Sequence, residues 1–74
     1  MCNTSRFQQE RKFKRLSEIT GLNFVKSYQE NPRKFEVIME TRDFWKNQIR
    51  FYVFFGDTEV TFREIGQREW YLLN

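Results

Sequence analysis

The side chains best suited to chemistry in this 74-residue chain gather in its second half. Arg50, Tyr52 and Phe54 alternate along one aromatic run, and Arg63 comes after a turn. Guanidinium groups hold phosphate or carboxylate oxygens, and rings set between them offer faces on which a base or another ring can stack. The carboxylates Glu36, Glu40, Asp43, Glu59 and Glu64 could in principle form an acid–base pair, but they fall at solvent-type positions without a nucleophile or metal-ligand spacing beside them. Histidine is absent and Cys2 is the only cysteine, so no metal site and no disulfide is expected. Nothing near Cys2 in sequence marks a base that would activate its thiol. The residues therefore point away from catalysis, and no catalytic residue, cofactor or small-molecule substrate is expected.

At this length folding removes only roughly 60% of the unfolded chain's surface from water, so stability depends on large apolar side chains or on a partner. Phe, Tyr and Trp supply 19% of the residues. The longest apolar run, Phe51 to Phe55, falls far short of the roughly 20 residues that span a bilayer. No apolar signal-peptide core is evident at the N-terminus, so an intracellular location, cytoplasmic or nuclear, is expected. Asn3-Thr4-Ser5 fits the N-glycosylation pattern, but without a secretory signal it carries no weight.

Net charge is +3, unevenly spread: residues 1–34 hold eight basic and three acidic side chains, residues 35–74 five and seven. Arg6, Arg11, Lys12, Lys14 and Arg15 form the densest basic cluster. It reads either as a solvated helix face or as an attractor for nucleic acid, an acidic protein surface or an anionic membrane.

These residues must be positioned by a helix and a sheet. Residues 6–19 contain no Gly or Pro and are rich in helix formers, with Thr4 or Ser5 as N-cap and Gly21 as the stop. Phe13, Leu16 and Ile19 form one narrow apolar stripe, which could dock on a sheet or continue a coiled-coil seam toward a partner. From Leu22 the period changes to two, giving strands over 22–29 and 34–41 around the Asn31-Pro32-Arg33 turn. A four-residue loop at 30–33 places Phe24 opposite Met39 and Tyr28 opposite Phe35. After a connection bearing Phe44 and Trp45, strands are expected over 49–55 and 58–65, and 70–73 is either a fifth strand or a tail folded onto the sheet. The fold class is α+β, an N-terminal helix followed by a four- to five-stranded antiparallel β-meander in one small domain.

Gly56-Asp57 reads as a two-residue II′ turn, which fixes the second hairpin. Val53 then faces Val60 and Phe51 faces Phe62 on the dry side. On the other side Arg50 faces Arg63, Tyr52 faces Thr61 and Phe54 faces Glu59. Opposed arginines repel in a sheet, so that pair invites an anion between them.

The helix ending Ile19-Thr20-Gly21-Leu22-Asn23-Phe24 and running into an antiparallel meander resembles the RWD-type heads of kinetochore subunits, of the spindle-pole-component and centromere-protein kind. The likeness spans residues 13–65 through Leu16, Ile19, Gly21, Leu22 and Phe24 and the strands Phe35 to Thr41, Ile49 to Phe55 and Val60 to Phe62. Such heads normally add a C-terminal helix and a long coiled coil, which this chain does not show. The resemblance implies heterodimerisation and peptide docking without chemistry. The run Arg50 to Phe55 also resembles the longer signature of RNA-recognition motifs, without its glycine and without a second helix between strands.

A non-enzymatic protein-interaction module, either a kinetochore-like RWD head or a small inhibitor or adaptor protein, with a protein partner or a second copy, is therefore the expected function, and no membrane partner is expected. Its contact residues are expected to be Phe13, Leu16, Ile19, Tyr52 and Phe54. The alternative is single-stranded nucleic acid, RNA above all, held by Arg11, Lys12, Lys14, Arg15, Arg50 and Arg63 with Tyr52 and Phe54 as stacking rings.

Overall fold

A hydroxyl at the right position opens the helix. In the computed structural model, which describes residues 5–73, the side chain of Ser5 accepts a hydrogen bond from the Gln8 N–H at 3.2 Å, and α1 runs Arg6–Thr20. Gly21 ends it in the left-handed region, φ 73°, with its N–H on the Ser17 carbonyl at 2.9 Å. The exit is pinned twice more: the Ser17 hydroxyl donates to the Leu22 carbonyl, and the Thr20 hydroxyl donates to the Leu16 carbonyl at 2.7 Å. Cys2, the Asn3-Thr4-Ser5 glycosylation pattern apart from Ser5, and Thr4 as an N-cap lie outside the described residues.

Five strands complete the chain, β1 Asn23–Asn31, β2 Lys34–Glu40, β3 Gln48–Phe55, β4 Val60–Glu64 and β5 Tyr71–Leu72, in one antiparallel sheet whose spatial order is the chain order. The α+β meander is thus the fold, and the terminal segment is a short fifth strand. Leu73 just beyond it is fully buried and donates its N–H to the Val60 carbonyl at 2.7 Å. The helix lies on one face of this sheet. Phe13 stacks on Phe24 with centroids 5.7 Å apart and meets Phe35 edge-on at 5.6 Å, and Phe35 in turn meets Phe55 at 5.4 Å. With Leu16, Val37, Met39, Phe51, Val53, Val60 and Leu73 these rings form the core.

Two registers differ from the sequence expectation. In the first hairpin Phe24 does pair with Met39, but a bulge at Val25 shifts β1 from Lys26 to Gln29, so Tyr28 faces Glu36 and not Phe35. The cause is Lys26, which shares the parity of Phe24 and without a bulge would point into the core. The extra residue turns the ammonium outward and carries Tyr28 with it, while Ser27 and Gln29 take the helix side. A second irregularity before Asn31 sets it opposite Lys34, so the loop is Pro32-Arg33 and not the four residues 30–33.

In the second hairpin Phe55 pairs with Val60, so the connection spans residues 56–59 rather than two residues. Gly56 closes it by donating to the Glu59 carbonyl at 2.8 Å, with no positive φ, and Asp57 pairs with Arg33 at 2.8 Å. The pairing moves by two positions, which leaves every side chain on its expected face. That is why the apolar pattern cannot tell the registers apart. Val53 faces Phe62, Phe51 faces Glu64, Tyr52 faces Arg63 and Phe54 faces Thr61. Arg50 and Arg63 are not opposed.

Candidate interaction surface

The face turned away from α1 is built from three cross-strand rows. Tyr28, Glu36, Tyr52 and Arg63 form the central one; Lys34, Phe54, Thr61 and Leu72 flank it on one side, Lys26, Ile38 and Arg50 on the other. Alternation along each strand places them together, because residues two apart share a face. Among the described residues no helix covers them. Phe54, Trp70 and Leu72 retain 38%, 44% and 53% of their accessible surface and form an apolar strip along β3 to β5, while Tyr28, 49% exposed, stands apart on β1 beyond Glu36.

Cations are threaded through the strip. Lys34 Nζ lies 4.1 Å from the centre of the Tyr52 ring, and the Arg63 guanidinium is 5.2 Å from the rings of both Tyr52 and Trp70. Lys26 sits 5.5 Å over Tyr28. Arg63 is held there by a 2.7 Å hydrogen bond to the Gln67 carbonyl. Arg50 pairs with Glu36 at 3.4 Å and Lys34 with Glu30 at 3.8 Å. The repulsion expected between Arg50 and Arg63, and with it the demand for an anion between them, is therefore gone. Lys34, Phe54, Thr61 and Trp70 line a shallow, mainly apolar depression in this surface.

The residues expected to meet a partner divide. Tyr52 and Phe54 lie on the open face, whereas Phe13 and Leu16 are buried in the core against the sheet and are not available to a second chain. The helix stripe docks internally because it is the cover for the aromatic side of the meander. Ile19, at the end of α1, is exposed. Arg11, Lys14 and Arg15 are exposed on α1, with Lys12 half-buried, and so lie across the sheet from Arg50, Arg63, Tyr52 and Phe54. One straight strand of nucleic acid cannot touch both groups on one face. Lys26, Tyr28, Lys34, Trp70 and Leu72 join the open face without having been picked out from sequence. Trp70 and Leu72 were visible as residues of one parity in the last segment, but the outward turn of Tyr28 depends on the bulge.

The connection between β2 and β3 is ordered by a single carboxylate. Asp43 accepts hydrogen bonds from the Thr41 hydroxyl at 2.9 Å and from the N–H groups of Trp45 and Lys46 at 3.0 and 3.1 Å. These bonds, the Thr41 hydroxyl first, hold its carboxyl below the ordinary aspartate value. Phe44 and Trp45 meet edge-on at 5.4 Å above this loop, both well exposed. Among the described residues no group of three or more Asp, Glu, Cys or His could hold a metal ion, and no helix is long and apolar enough to cross a membrane.

Comparisons of the chain with protein-family models, with curated proteins and with solved structures find no match.

Proposed function

We propose that this chain is a non-enzymatic protein-interaction module, of the kind the RWD-type kinetochore heads represent, which works by burying the open face of its sheet against an acidic protein partner. The observation that carries the reading is the uncovered strip of Phe54, Trp70 and Leu72, with Tyr28 exposed on the same face, on the side of the sheet that α1 does not shield. Aromatic side chains and arginines are the residue types that dominate interface energetics, and here both are already ordered by contacts with one another. Lys26, Lys34, Arg50 and Arg63 outnumber Glu30 and Glu36 on and beside this face, which steers encounter toward an acidic surface and sets two copies of the face against each other. The basic residues of α1 add to that long-range attraction from the far side. The kinetochore-type assignment rests on the sequence likeness over residues 13–65.

Binding of single-stranded RNA by the same face has less behind it: Arg50 is engaged by Glu36, and two cations already occupy the surroundings of Tyr52, where a base would have to stack. The test begins with sedimentation of the purified chain alone and with a short labelled oligonucleotide, followed by photo-cross-linking from position 54 to recover the partner. Phe54→Ala together with Trp70→Ala should abolish the complex with that partner and leave the far-ultraviolet circular dichroism unchanged. A complex that survives both substitutions overturns the reading, and oligonucleotide binding that weakens steeply with salt would give the face to nucleic acid.

A further inference from the structure

On the helix side of the sheet, beyond the reach of α1, lies a second feature that the open face does not use. Phe51, Phe62 and Tyr71 stand on the neighbouring strands β3, β4 and β5 and pack in series, Phe51 to Phe62 at 6.1 Å and 64°, Phe62 to Tyr71 at 5.8 Å and 37°. All three line one concavity on this side of the sheet. Phe51 is nearly buried and forms the floor, while Tyr71 at the sheet edge is 54% exposed and forms the lip. The turn after β4 closes the other side, giving a cleft of about 610 Å³ lined also by Glu64, Gly66, Gln67, Arg68 and Glu69.

That turn is fixed rather than loose. Gly66 adopts φ 104°, the Gln67 N–H donates to the Glu64 carbonyl at 2.9 Å, and Arg63 reaches from the opposite face to hold the Gln67 carbonyl. Two carboxylates stand on the rim. Glu64 lies across from Phe51 in register, and Glu69 accepts the Tyr71 hydroxyl at 2.9 Å, which ties ring and carboxylate together. Among the described residues neither carboxylate is in an ion pair; Arg68 borders the cleft but pairs with neither and lies over none of the three rings. The rim keeps a net negative charge beside the rings of Phe62 and Tyr71, with Phe51 beneath them.

Aromatic rings and carboxylates outside any ion pair around one concavity attract the same kind of group, a cation too diffuse to be well hydrated. An ammonium carrying methyl groups meets that description: its charge is drawn to the rings and its methyls displace water from them. A bare metal ion does not, because it requires several oxygen ligands that the cleft lacks. We infer that the cleft formed by Phe51, Phe62 and Tyr71 under the Glu64 and Glu69 rim is a binding site for a methylated ammonium group. This site lies on the other side of the sheet and none of its lining side chains belongs to the open face; the Arg63 bond to the Gln67 carbonyl is the contact that links the two.

The test is an NMR titration of the full chain with choline and, in parallel, with its neutral isostere 3,3-dimethylbutan-1-ol, at matched ionic strength. Choline should shift the Phe62 and Tyr71 resonances saturably, and the isostere should bind about tenfold more weakly. Tyr71→Leu keeps apolar bulk at the exposed lip but removes the ring, and should weaken choline about tenfold while the amide spectrum elsewhere stays unchanged. Glu64→Gln with Glu69→Gln should weaken it further and flatten its salt dependence. A trimethyl-lysine peptide against its unmethylated form, and phosphocholine alone, identify whether a modified protein tail or a lipid headgroup supplies the ammonium. Equal binding of the isostere, unchanged affinity in Tyr71→Leu, or no saturable shift with choline would each overturn the assignment.

Discussion

Truncating Leu16 to Ala separates a helix docked on its own sheet from a helix whose stripe awaits a partner. Leu16 is fully buried and Ile19, three residues on, is 43% exposed. Leu→Ala removes three carbons from the core, about 2.4 kcal/mol of transfer free energy at roughly 0.8 kcal/mol per buried methylene. The cavity left behind adds to this, so a total of about 3 kcal/mol is expected, within the roughly 2–5 kcal/mol such changes cost. A domain of this size has a total stability of only about 4–11 kcal/mol. The purified Leu16→Ala chain should therefore show its urea midpoint lowered by about a quarter or more with an unchanged slope, and its thermal midpoint lowered by more than about 10 °C. Ile19→Ala in the same assay should cost less than about 1 kcal/mol. If the two substitutions cost the same, or if Leu16→Ala costs under about 1 kcal/mol, the helix is not packed as described and the stripe is free for another chain.

Asp43 gives a pH dependence whose sign is set by its lowered pKa. A carboxylate depressed by folding contributes above its unfolded-state value and loses that contribution as pH falls through the folded one. Acidification should accordingly lower the hydrogen-exchange protection of the Trp45 and Lys46 amides, relative to their intrinsic rates at each pH, before the sheet unfolds, and Asp43→Asn should remove that step. Tyr71 runs the other way: its hydrogen bond to Glu69, and then the charge of that carboxylate, raise its pKa. An ultraviolet titration should find Tyr71 ionising above the usual tyrosine range, with Glu69→Gln bringing it back; no change in that variant would remove the bond from the account. Gly66→Ala meets no atom within 4 Å, so its cost comes from the backbone alone. Denaturation should show a loss of about 1–2 kcal/mol for placing a side chain at that positive φ.

Much of this molecule is legible in its sequence. Local signals carry the helix and its ends, because capping at Ser5 and the left-handed stop at Gly21 act within one turn. The meander is readable from alternation, and the side of the sheet taken by Tyr52 and Phe54 survives even an incorrect register, since a slip of two residues preserves parity. Hidden from the sequence are choices made between elements. The Val25 bulge is decided by the cost of burying Lys26 under a helix, and only by it does Tyr28 join the open face. The second hairpin's register is set by the Arg33–Asp57 pair and the Gly56–Glu59 bond, contacts between segments whose spacing no periodicity records. Whether Phe13 and Leu16 would face a sheet or a partner, and whether Phe51, Phe62 and Tyr71 would enclose a cleft, depended on how far one short helix reaches across five strands. Periodicity assigns a side chain to a face; only the packed chain determines what, if anything, covers it.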